Sequence, residues 1–312
     1  MKDNIVCSII IVNFNRIDLT IDCINSIYKF CTTDFEIIVI DNNSTTCYID
    51  EVIDKYPSVV LIKNKENKGF SYANNQGLKI AKGEYILFLN NDTLLIEDTL
   101  EKVINYYKSL KRPALIGCKL LNADNTHQAS VTEFETVLNV FGDISFLYLT
   151  LKNNKYINRF HLNYKNIKKP IKVGVVKGAF IFGEKKYISD LSGFDDRFFF
   201  YGEENDLCKR FNDQVGDVIY FPESAIIHLG GATTANMPWF SIKNLNIGRI
   251  QLFQKHFKGV EFGLIITIHY LGIVIRIPIY FISGVVTFNS NLIKKAYNYL
   301  KLLFIYPKNR FK

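Results

Sequence analysis

The first 110 residues alternate short apolar runs with segments of helical periodicity, and this alternation limits the possible folds more than any other feature. The apolar runs lie at 5–12, 36–40, 59–63 and 85–89, and the segments of helical spacing lie at 17–30, 49–56, 71–81 and 97–110. Strands that alternate with helices over such short distances form βαβ units. The sequence therefore predicts an α/β fold with a mostly parallel central sheet flanked by helices.

Polar residues follow each of the four apolar runs. They occupy 13–15, 41–44, 64–69 and 90–92. In open parallel sheets, ligands bind in the crevice beyond the carboxyl ends of the strands. The four polar segments are therefore predicted to form one binding site.

The segment Asn90-Asn91-Asp92 ends the fourth apolar run. One carboxylate and two amides can hold a hard divalent cation through oxygen, with waters and substrate phosphates completing its shell. Asn and Asp are also common turn residues. The triplet by itself is compatible with a metal site and with an ordinary turn.

A glycine in the segment NKGFSYANNQG (67–77) indicates a special backbone position. Gly69 permits a tight turn or the close approach of a ligand, and Asn67 offers an amide donor and acceptor beside it. An ordinary loop between a strand and a helix explains the same residues equally well.

Two adjacent acids, Glu203 and Glu204, follow a glycine at the predicted start of a helix over 204–212. Acids stabilise helix N-termini through the helix dipole. Carboxylates in the aromatic segment 198–211 can also supply a general base. Both interpretations remain open at this point.

His228 follows a strand-like run and precedes two glycines. A single histidine is usually structural. A histidine at a strand end can also direct a ring nitrogen into a site as a metal ligand.

Basic residues are concentrated at the end of the chain. Residues 237–312 hold eleven Lys and Arg residues and a single acid, Glu261, whereas residues 1–236 carry a net charge of −2. This shift predicts a domain over 1–236 and a helical segment over 237–312. A nucleic-acid-binding domain would carry its basic surface over the fold, so nucleic acid is excluded as a partner.

The segment 262–288 is apolar and long enough to span a bilayer. Arg276 lies near its middle, where a charge costs roughly 2.5–3.5 kcal/mol on insertion scales, and Pro278 would kink or end a helix. We therefore expect one or two apolar helices that lie in the membrane interface or dock on a partner. A buried helical hairpin is the alternative. Residues 289–312 contain no acid and suit an anionic cytoplasmic leaflet.

Six cysteines show no CxxC pair and no cluster with histidine. This pattern argues against a zinc site and a disulfide framework, and it indicates a reducing, cytoplasmic setting. The first 15 residues lack the pattern of a signal peptide.

Several segments in order along about residues 5–257 carry a resemblance to a known family. They are SIIIVNFN (8–15), IIVIDNNS (37–44), NKGFSYANNQG (67–77), GEYILFLNNDT (83–93), GAFIFG (178–183), LSGFDDRFFFYGEENDLCKR (191–210) and His228. The set resembles the family 2 glycosyltransferases of the GT-A fold, especially their rhamnosyltransferase-like branch.

This resemblance implies roles in binding a nucleotide-sugar donor. Asn13 and Asn15 match the edge of the nucleotide pocket. Asp41 matches the acid that contacts the base or ribose. Asn67 and Gly69 match the loop beside the nucleotide.

The resemblance also implies a metal site and a catalytic base. Residues 90–92 match the DxD motif, with Asp92 as the acid that binds a divalent cation (Mn²⁺ or Mg²⁺) and the diphosphate, and His228 matches a histidine that completes the metal site. Glu204 matches the usual base, and Glu203 is the alternative base. Asn90 replaces an acid, which weakens the attraction for a cation, and Glu204 replaces an aspartate.

The predicted activity is inverting transfer of a sugar from a nucleoside-diphosphate sugar, dTDP-rhamnose or a UDP-hexose, to a hydroxyl group. The expected acceptor is a glycan or lipid-linked molecule of cell-surface polysaccharide synthesis, at the inner face of the cell membrane. A metal-dependent sugar-phosphate nucleotidyltransferase is one alternative, although residues 13–16 lack a glycine-rich phosphate loop. A non-catalytic nucleotide-sugar binding protein is another.

Overall fold

A computed structural model describes residues 5–230 and 238–305. Within these residues the chain forms two compact units, one of 5–132, 166–199 and 203–230, and one of 133–165, 200–202 and 238–305. The predicted boundary at 236/237 and the basic residues of 306–312 lie outside the described residues. The boundary at 236/237 stays a prediction. The sequence did not predict that residues 133–165 belong to the second unit.

The secondary structure begins with a regular alternation of strands and helices. In chain order the elements are β1 (Cys7–Asn13), α1 (Ile17–Phe30), β2 (Phe35–Asp41), α2 (Glu51–Lys55), β3 (Val60–Lys63), α3 (Phe70–Ile80), β4 (Tyr85–Asn90), β5 (Thr93–Leu95), α4 (Thr99–Lys108), β6 (Ala114–Leu121), β7 (His127–Gln128) and β8 (Val131–Thr132). The four predicted strands and four predicted helices of this region are all present, and their ends differ from the predicted ones by at most two residues.

The remaining elements include the longest helices of the chain. They are α5 (Val137–Ile144), α6 (Leu147–Thr150), a 3₁₀ turn (His161–Tyr164), β9 (Ile171–Lys172), β10 (Val175–Val176), β11 (Phe180–Glu184), α7 (Lys185–Asp190), α8 (Glu203–Gln214), β12 (Asp217–His228), α9 (Pro238–His256), α10 (Gly259–Val286) and α11 (Ser290–Leu302).

The first unit contains a large mixed sheet with the strand order β3-β2-β1-β4-β11-β6-β12-β5. Strands β3, β2, β1 and β4 run parallel, and β11 is antiparallel to both of its neighbours. Ile9, Ile10 and Ile11 of β1 have no exposed surface, as expected of a strand that is covered on both faces. The predicted α/β fold class is confirmed.

The parallel strands bring their carboxyl ends to one edge of the sheet. Asn13 pairs in register with Asp41, and Val12 pairs with Asn90. The last residues of β1, β2 and β4 are therefore neighbours, although they lie far apart in the sequence.

The second unit is helical, and α10 is its longest element. Of the helices that the structure describes, α10 alone is long and apolar enough to cross a membrane by length and composition. It continues through Pro278, so the helix does not end there as the sequence allowed. Arg276 is buried, and its Nη2 atom lies 3.2 Å from Oδ1 of Asp143.

Candidate active site

Asp41 at the end of β2 is held by three groups. Its Oδ1 atom accepts hydrogen bonds from Asn13 Nδ2 (2.8 Å) and from the hydroxyl of Ser44 (2.5 Å), and its Oδ2 atom accepts one from the backbone N–H of Ser44 (3.0 Å). Asp41 and Asn13 are both buried. The network fixes the direction of the carboxylate at the edge of the sheet.

Asn15 also fixes the loop after β2. Its Oδ1 atom accepts hydrogen bonds from the backbone N–H groups of Thr45 (2.7 Å) and Thr46 (3.1 Å). Its backbone N–H donates to Ser44 Oγ (2.7 Å). Asn15 has a φ angle of 57°, a left-handed conformation that Asn tolerates better than most residues. Asn15, which matches the edge of the nucleotide pocket in the family resemblance, thus shapes the loop beside Asp41.

The loop before α3 is joined to the end of β2 by Asn42. The Asn42 amide donates to Asn67 Oδ1 (2.8 Å) and to the carbonyl of Gly69 (3.1 Å), and the Gly69 N–H donates to Asn67 Oδ1 (3.0 Å). Gly69 has a φ angle of 95°, and a Cβ atom there would lie 2.4 Å from the carbonyl oxygen of Phe199. The close approach that requires glycine is thus to the protein backbone.

Asn91 connects the end of β4 to α1. Its amide donates to Thr20 Oγ1 (3.1 Å), and the Thr20 hydroxyl donates to Asn13 Oδ1 (2.9 Å). Asn91 is buried. It therefore links α1 to the ends of β1 and β4.

Asp92 and His228 are brought together by the pairing of β5 with β12. His228 lies opposite Thr93 in that antiparallel pair, and the backbone N–H of Leu229 donates to the Asp92 carbonyl at 2.9 Å. The Nε2 atom of His228 lies 3.3 Å from Asp92 Oδ1. Two residues separated by more than a hundred positions thus present a ring nitrogen and a carboxylate oxygen to each other.

These residues fit a divalent cation. Asn90 precedes Asp92 by two positions, and its Oδ1 atom is buried without a donor among the described residues. Amide and carboxylate oxygens suit Mn²⁺ and Mg²⁺, and a neutral imidazole nitrogen can add a further metal ligand. Within 5–230 and 238–305, no group of three or more His, Cys, Asp or Glu side chains forms a metal site by itself. Such a composition suits a cation that is also bound by substrate phosphates.

Glu203 and Glu204 form the start of α8, and they differ in their surroundings. Glu203 is buried, and its Oε2 atom has no hydrogen-bond partner among the described residues. Burial, together with the neighbouring charge of Glu204, raises the pKa of Glu203 well above its usual range. Glu204 is half-buried. The carboxyl group of Glu203 therefore ionises less readily than an ordinary glutamate.

A short segment before β11 borders both Glu204 and the end of β4. The backbone N–H of Asn90 donates to the carbonyl of Ala179 at 3.1 Å. A Cβ atom on Gly178 would lie 3.8 Å from the Cβ atom of Glu204. Because Gly178 and Ala179 are adjacent, the glutamate and the strand end flank the same stretch of backbone.

Sequence reasoning missed the residues that link the predicted ones. Thr20 and Gln128 hold Asn91 and His228, and neither belongs to a motif segment. The side chains of Asn42 and Ser44 lie inside a predicted polar segment, but their partners depend on strand register. Only Ser44 carried a local signal, because Asp and Ser close together in a polar segment after a strand are typical turn residues.

The mixed sheet with polar side chains at the carboxyl ends of its parallel strands defines the molecule as an α/β protein, and in such sheets ligands bind at these strand ends. Residues 8–184 match the family model for glycosyl transferase family 2. The chain belongs to this family and carries its glycosyltransferase domain. The family predicted from the motifs is therefore confirmed.

Two curated relatives act on poly(ribitol phosphate) by their names. A poly(ribitol-phosphate) β-glucosyltransferase of Bacillus spizizenii is 34% identical over 116 residues, which cover 35% of this chain and 18% of the relative. The poly(ribitol-phosphate) β-N-acetylglucosaminyltransferase TarP of Staphylococcus aureus is 42% identical over 89 residues, which cover 28% of this chain and 27% of TarP. The chain thus spans less than a third of the length of either relative.

A solved structure shares the fold over almost the whole chain. The mannosyltransferase PcManGT from Pyrobaculum calidifontis, in complex with GDP-mannose and Mn²⁺, aligns with 96% of this chain and 75% of its own, with a TM-score of 0.55 and 12% identity. At this identity the likeness concerns the fold alone. It agrees with the GT-A fold expected from the motifs.

Proposed function

We propose that the protein is an inverting glycosyltransferase that transfers a sugar from a nucleoside-diphosphate sugar to a hydroxyl group during cell-surface polysaccharide synthesis. The observation that carries this proposal is the convergence of Asn13, Asp41, Asp92 and His228 at one edge of the sheet. Family membership supports the reaction class, and the two poly(ribitol-phosphate) glycosyltransferases support the type of acceptor.

The donor nucleotide is expected at the ends of β1 and β2. Asp41 is fixed with its carboxylate at this edge, so it can accept hydrogen bonds from the hydroxyls of a ribose or the N–H of a base. The loop of Asn67 and Gly69, which Asn42 holds in place, would form a second wall of the nucleotide pocket. The donor sugars that we propose are those of dTDP-rhamnose or a UDP-hexose.

Asp92 and His228 would hold a divalent cation together with the donor diphosphate, and the amide oxygen of Asn90 would add a neutral ligand. When bound, such a cation acts as a Lewis acid that stabilises the charge of the leaving diphosphate. Because Asn90 has no charge, the protein contributes only one carboxylate to this site. We therefore expect the cation to bind mainly together with the nucleotide.

Glu204 is the proposed general base. A base must be ionised and must reach the acceptor hydroxyl to remove its proton as attack proceeds. Burial and the charge of Glu204 raise the pKa of Glu203 and favour its protonated form, so Glu203 meets the first condition poorly and the half-buried Glu204 is preferred as the base. Attack from the face opposite the leaving diphosphate then inverts the configuration at the sugar carbon.

The second unit supplies the proposed contact with the membrane. One side of α10 exposes apolar side chains at helical spacing, namely Leu264, Leu271, Ile275, Ile282 and Val286. Its opposite side is buried and includes Arg276. Burying such a face in lipid is favourable by about 25 cal/mol per Å².

The positive charge of residues 237–312 favours binding to one kind of membrane surface. Residues 237–312 hold eleven basic residues and one acid. Arg249 and Arg276 pair internally with Asp143, and each of the other basic residues contributes about 1 kcal/mol when it lies near an anionic leaflet. We propose that α10 and α11 lie on the anionic cytoplasmic leaflet, where a lipid-linked acceptor would also be found.

A thermal-shift screen of nucleotide sugars, each with and without Mn²⁺, tests the proposed function. Ligands that bind the native state raise the unfolding temperature. We expect one nucleotide sugar to stabilise the protein, with a larger shift in Mn²⁺. If dTDP-rhamnose and the UDP-hexoses all leave the unfolding temperature unchanged, the proposed donor class is wrong.

A further inference from the structure

The imidazole of His228 is held on the side away from Asp92 by Gln128. The Nδ1 atom of His228 lies 2.6 Å from Gln128 Oε1, and its Nε2 atom lies 3.3 Å from Asp92 Oδ1. The ring is therefore placed between an amide and a carboxylate. Gln128 belongs to β7 and lies outside the seven motif segments that carry the resemblance to the family.

The orientation of the Gln128 amide follows from its other two hydrogen bonds. Its Nε2 atom donates to the backbone carbonyl of His228 (3.0 Å) and to Oδ1 of Asn122 (2.9 Å). A backbone carbonyl can only accept, so the nitrogen must face it, and the oxygen must face the ring. Asn122 is itself fixed, because its own amide donates to Thr126 Oγ1 (2.9 Å).

This orientation decides which ring nitrogen carries the proton of a neutral imidazole. Gln128 Oε1 can only accept, so Nδ1 of His228 must be the donor in that hydrogen bond. The lone pair of the neutral ring then lies on Nε2, directed at the Asp92 carboxylate. Two lone-pair groups at this distance can bind one cation that lies beside the line joining them.

We propose that Gln128 is a positioning residue of the cation site, because it fixes the Nδ1–H tautomer of His228 and leaves Nε2 free to bind the metal. The proposal rests on the function proposed above. Partners of a ligand histidine orient the ring and raise its basicity, and their loss typically weakens metal binding about 10–100-fold. Gln128 acts on the cation only through His228.

Two variants separate this role from a purely structural one. Gln128→Met keeps the length of the side chain but removes the acceptor for Nδ1–H and both donors. Gln128→Glu keeps an acceptor for Nδ1–H but loses the donors to the His228 carbonyl and to Asn122. If Gln128 only held the backbone of His228 in place, the two variants would lose Mn²⁺ affinity equally, because both lose the donors to the His228 carbonyl and to Asn122.

The first measurement is the tautomer of His228, read from long-range ¹H–¹⁵N spectra of the full chain without metal, at a pH at which the ring is neutral. We expect Nδ1–H in the wild type and in Gln128→Glu, and Nε2–H in Gln128→Met. The same tautomer in wild type and Gln128→Met would overturn the proposal.

The second measurement is the affinity for Mn²⁺ in the presence of UDP or dTDP, followed by electron paramagnetic resonance. We expect at least tenfold weaker binding in Gln128→Met and less than threefold in Gln128→Glu. Equal affinity in wild type and Gln128→Met would overturn the proposal. If the wild type binds no Mn²⁺, the cation site of the proposed function is wrong. The tautomer measurement still decides whether Gln128 fixes the Nδ1–H tautomer of His228.

Discussion

The two units distribute polar and apolar side chains in opposite ways. The first unit buries apolar strands and places its polar network of Asn13, Asp41 and Asp92 at one edge of the sheet. The second unit pairs charges inside, as between Arg276 and Asp143, and exposes apolar side chains along α10. This difference underlies the two proposals that the polar edge of the first unit binds the donor and that the exposed face of α10 contacts lipid.

The largest expected effect concerns the polar edge of the first unit. Asp92→Asn keeps the shape of the side chain but removes the only carboxylate of the proposed cation site. We expect the rate of sugar transfer to fall about 10²–10³-fold, as when a group that stabilises transition-state charge is removed. Calorimetry with UDP and dTDP should also show that Mn²⁺ no longer improves nucleotide binding.

Asp22→Asn is the matched control, because Asp22 is an exposed acid on α1. It should leave both transfer and Mn²⁺-dependent binding unchanged. A variant of Asp92 that still binds nucleotide more tightly in Mn²⁺ would remove this residue from the cation site.

The next effect concerns the internal charges of the second unit. Arg276→Met leaves Asp143 with one fewer partner, since Asp143 also pairs with Arg249 (Oδ2 to Nη1, 3.0 Å). Breaking a buried pair typically costs 3–5 kcal/mol. The Asp143 side chain is 34% exposed, so we expect a loss of about 1–3 kcal/mol in the free energy of unfolding.

Denaturant unfolding measures this loss. The control is Arg112→Met in the first unit, whose pair with Asp217 is long (3.7 Å) and whose side chain is 63% exposed. That change should stay within about 0.5 kcal/mol of the wild type. Equal effects of the two changes would mean that the internal pair of the second unit adds nothing to its stability.

The exposed face of α10 gives the next prediction. Leu271→Asn combined with Ile282→Asn should weaken binding to vesicles of phosphatidylcholine and phosphatidylglycerol at least about tenfold, because each apolar side chain contributes about 1.5–3 kcal/mol when it is buried. Co-sedimentation measures this binding.

Ile80→Asn is the control for the vesicle experiment, because Ile80 is an exposed apolar residue of the first unit. It should bind vesicles as the wild type does. If the α10 double variant also binds like the wild type, its exposed face does not contact lipid.

The smallest effect is a change in the pH dependence of stability. Glu203 has a raised pKa in the folded protein, so the folded state holds the proton more tightly than the unfolded state does. Its stabilising contribution is complete below the ordinary carboxyl value of about 4.3 and is lost as pH rises through the folded pKa. Glu203→Gln, which cannot ionise, should show a smaller fall in unfolding temperature across this pH range.

A pH series of unfolding temperatures tests this sign. Glu51→Gln, an exposed glutamate at the start of α2, should follow the wild-type curve. A wild-type fall that persists unchanged in Glu203→Gln would assign that fall to other groups.

The parts of the molecule that could be predicted are those for which a single continuous segment of sequence determines the local structure. The runs that became β1, β2 and β4 are continuous and apolar, and their polar ends follow directly in the sequence. Parallel pairing then brings Asn13, Asp41 and Asn90 together without further information. The resemblance to a family added residues from α8 and β12 to the same candidate site.

The parts that could not be predicted depend on contacts between distant residues. Gln128 meets His228 because β7 and β12 both pair with β6. Asp143 contacts Arg276 across 133 positions, and this ion pair neutralises the charge that Arg276 places in an otherwise apolar helix. Periodicity within a segment reports its buried face but not the element that covers it.

The transfer rate of Glu204→Gln tests the central claim most directly. Release of nucleoside diphosphate from the nucleotide sugar chosen by the thermal-shift screen is followed with membranes as the source of acceptor. Loss of the base should reduce the rate about 10²–10⁴-fold, while nucleotide affinity measured by calorimetry stays within threefold of the wild type. Transfer by Glu204→Gln at the wild-type rate would contradict the assignment of Glu204 as the base.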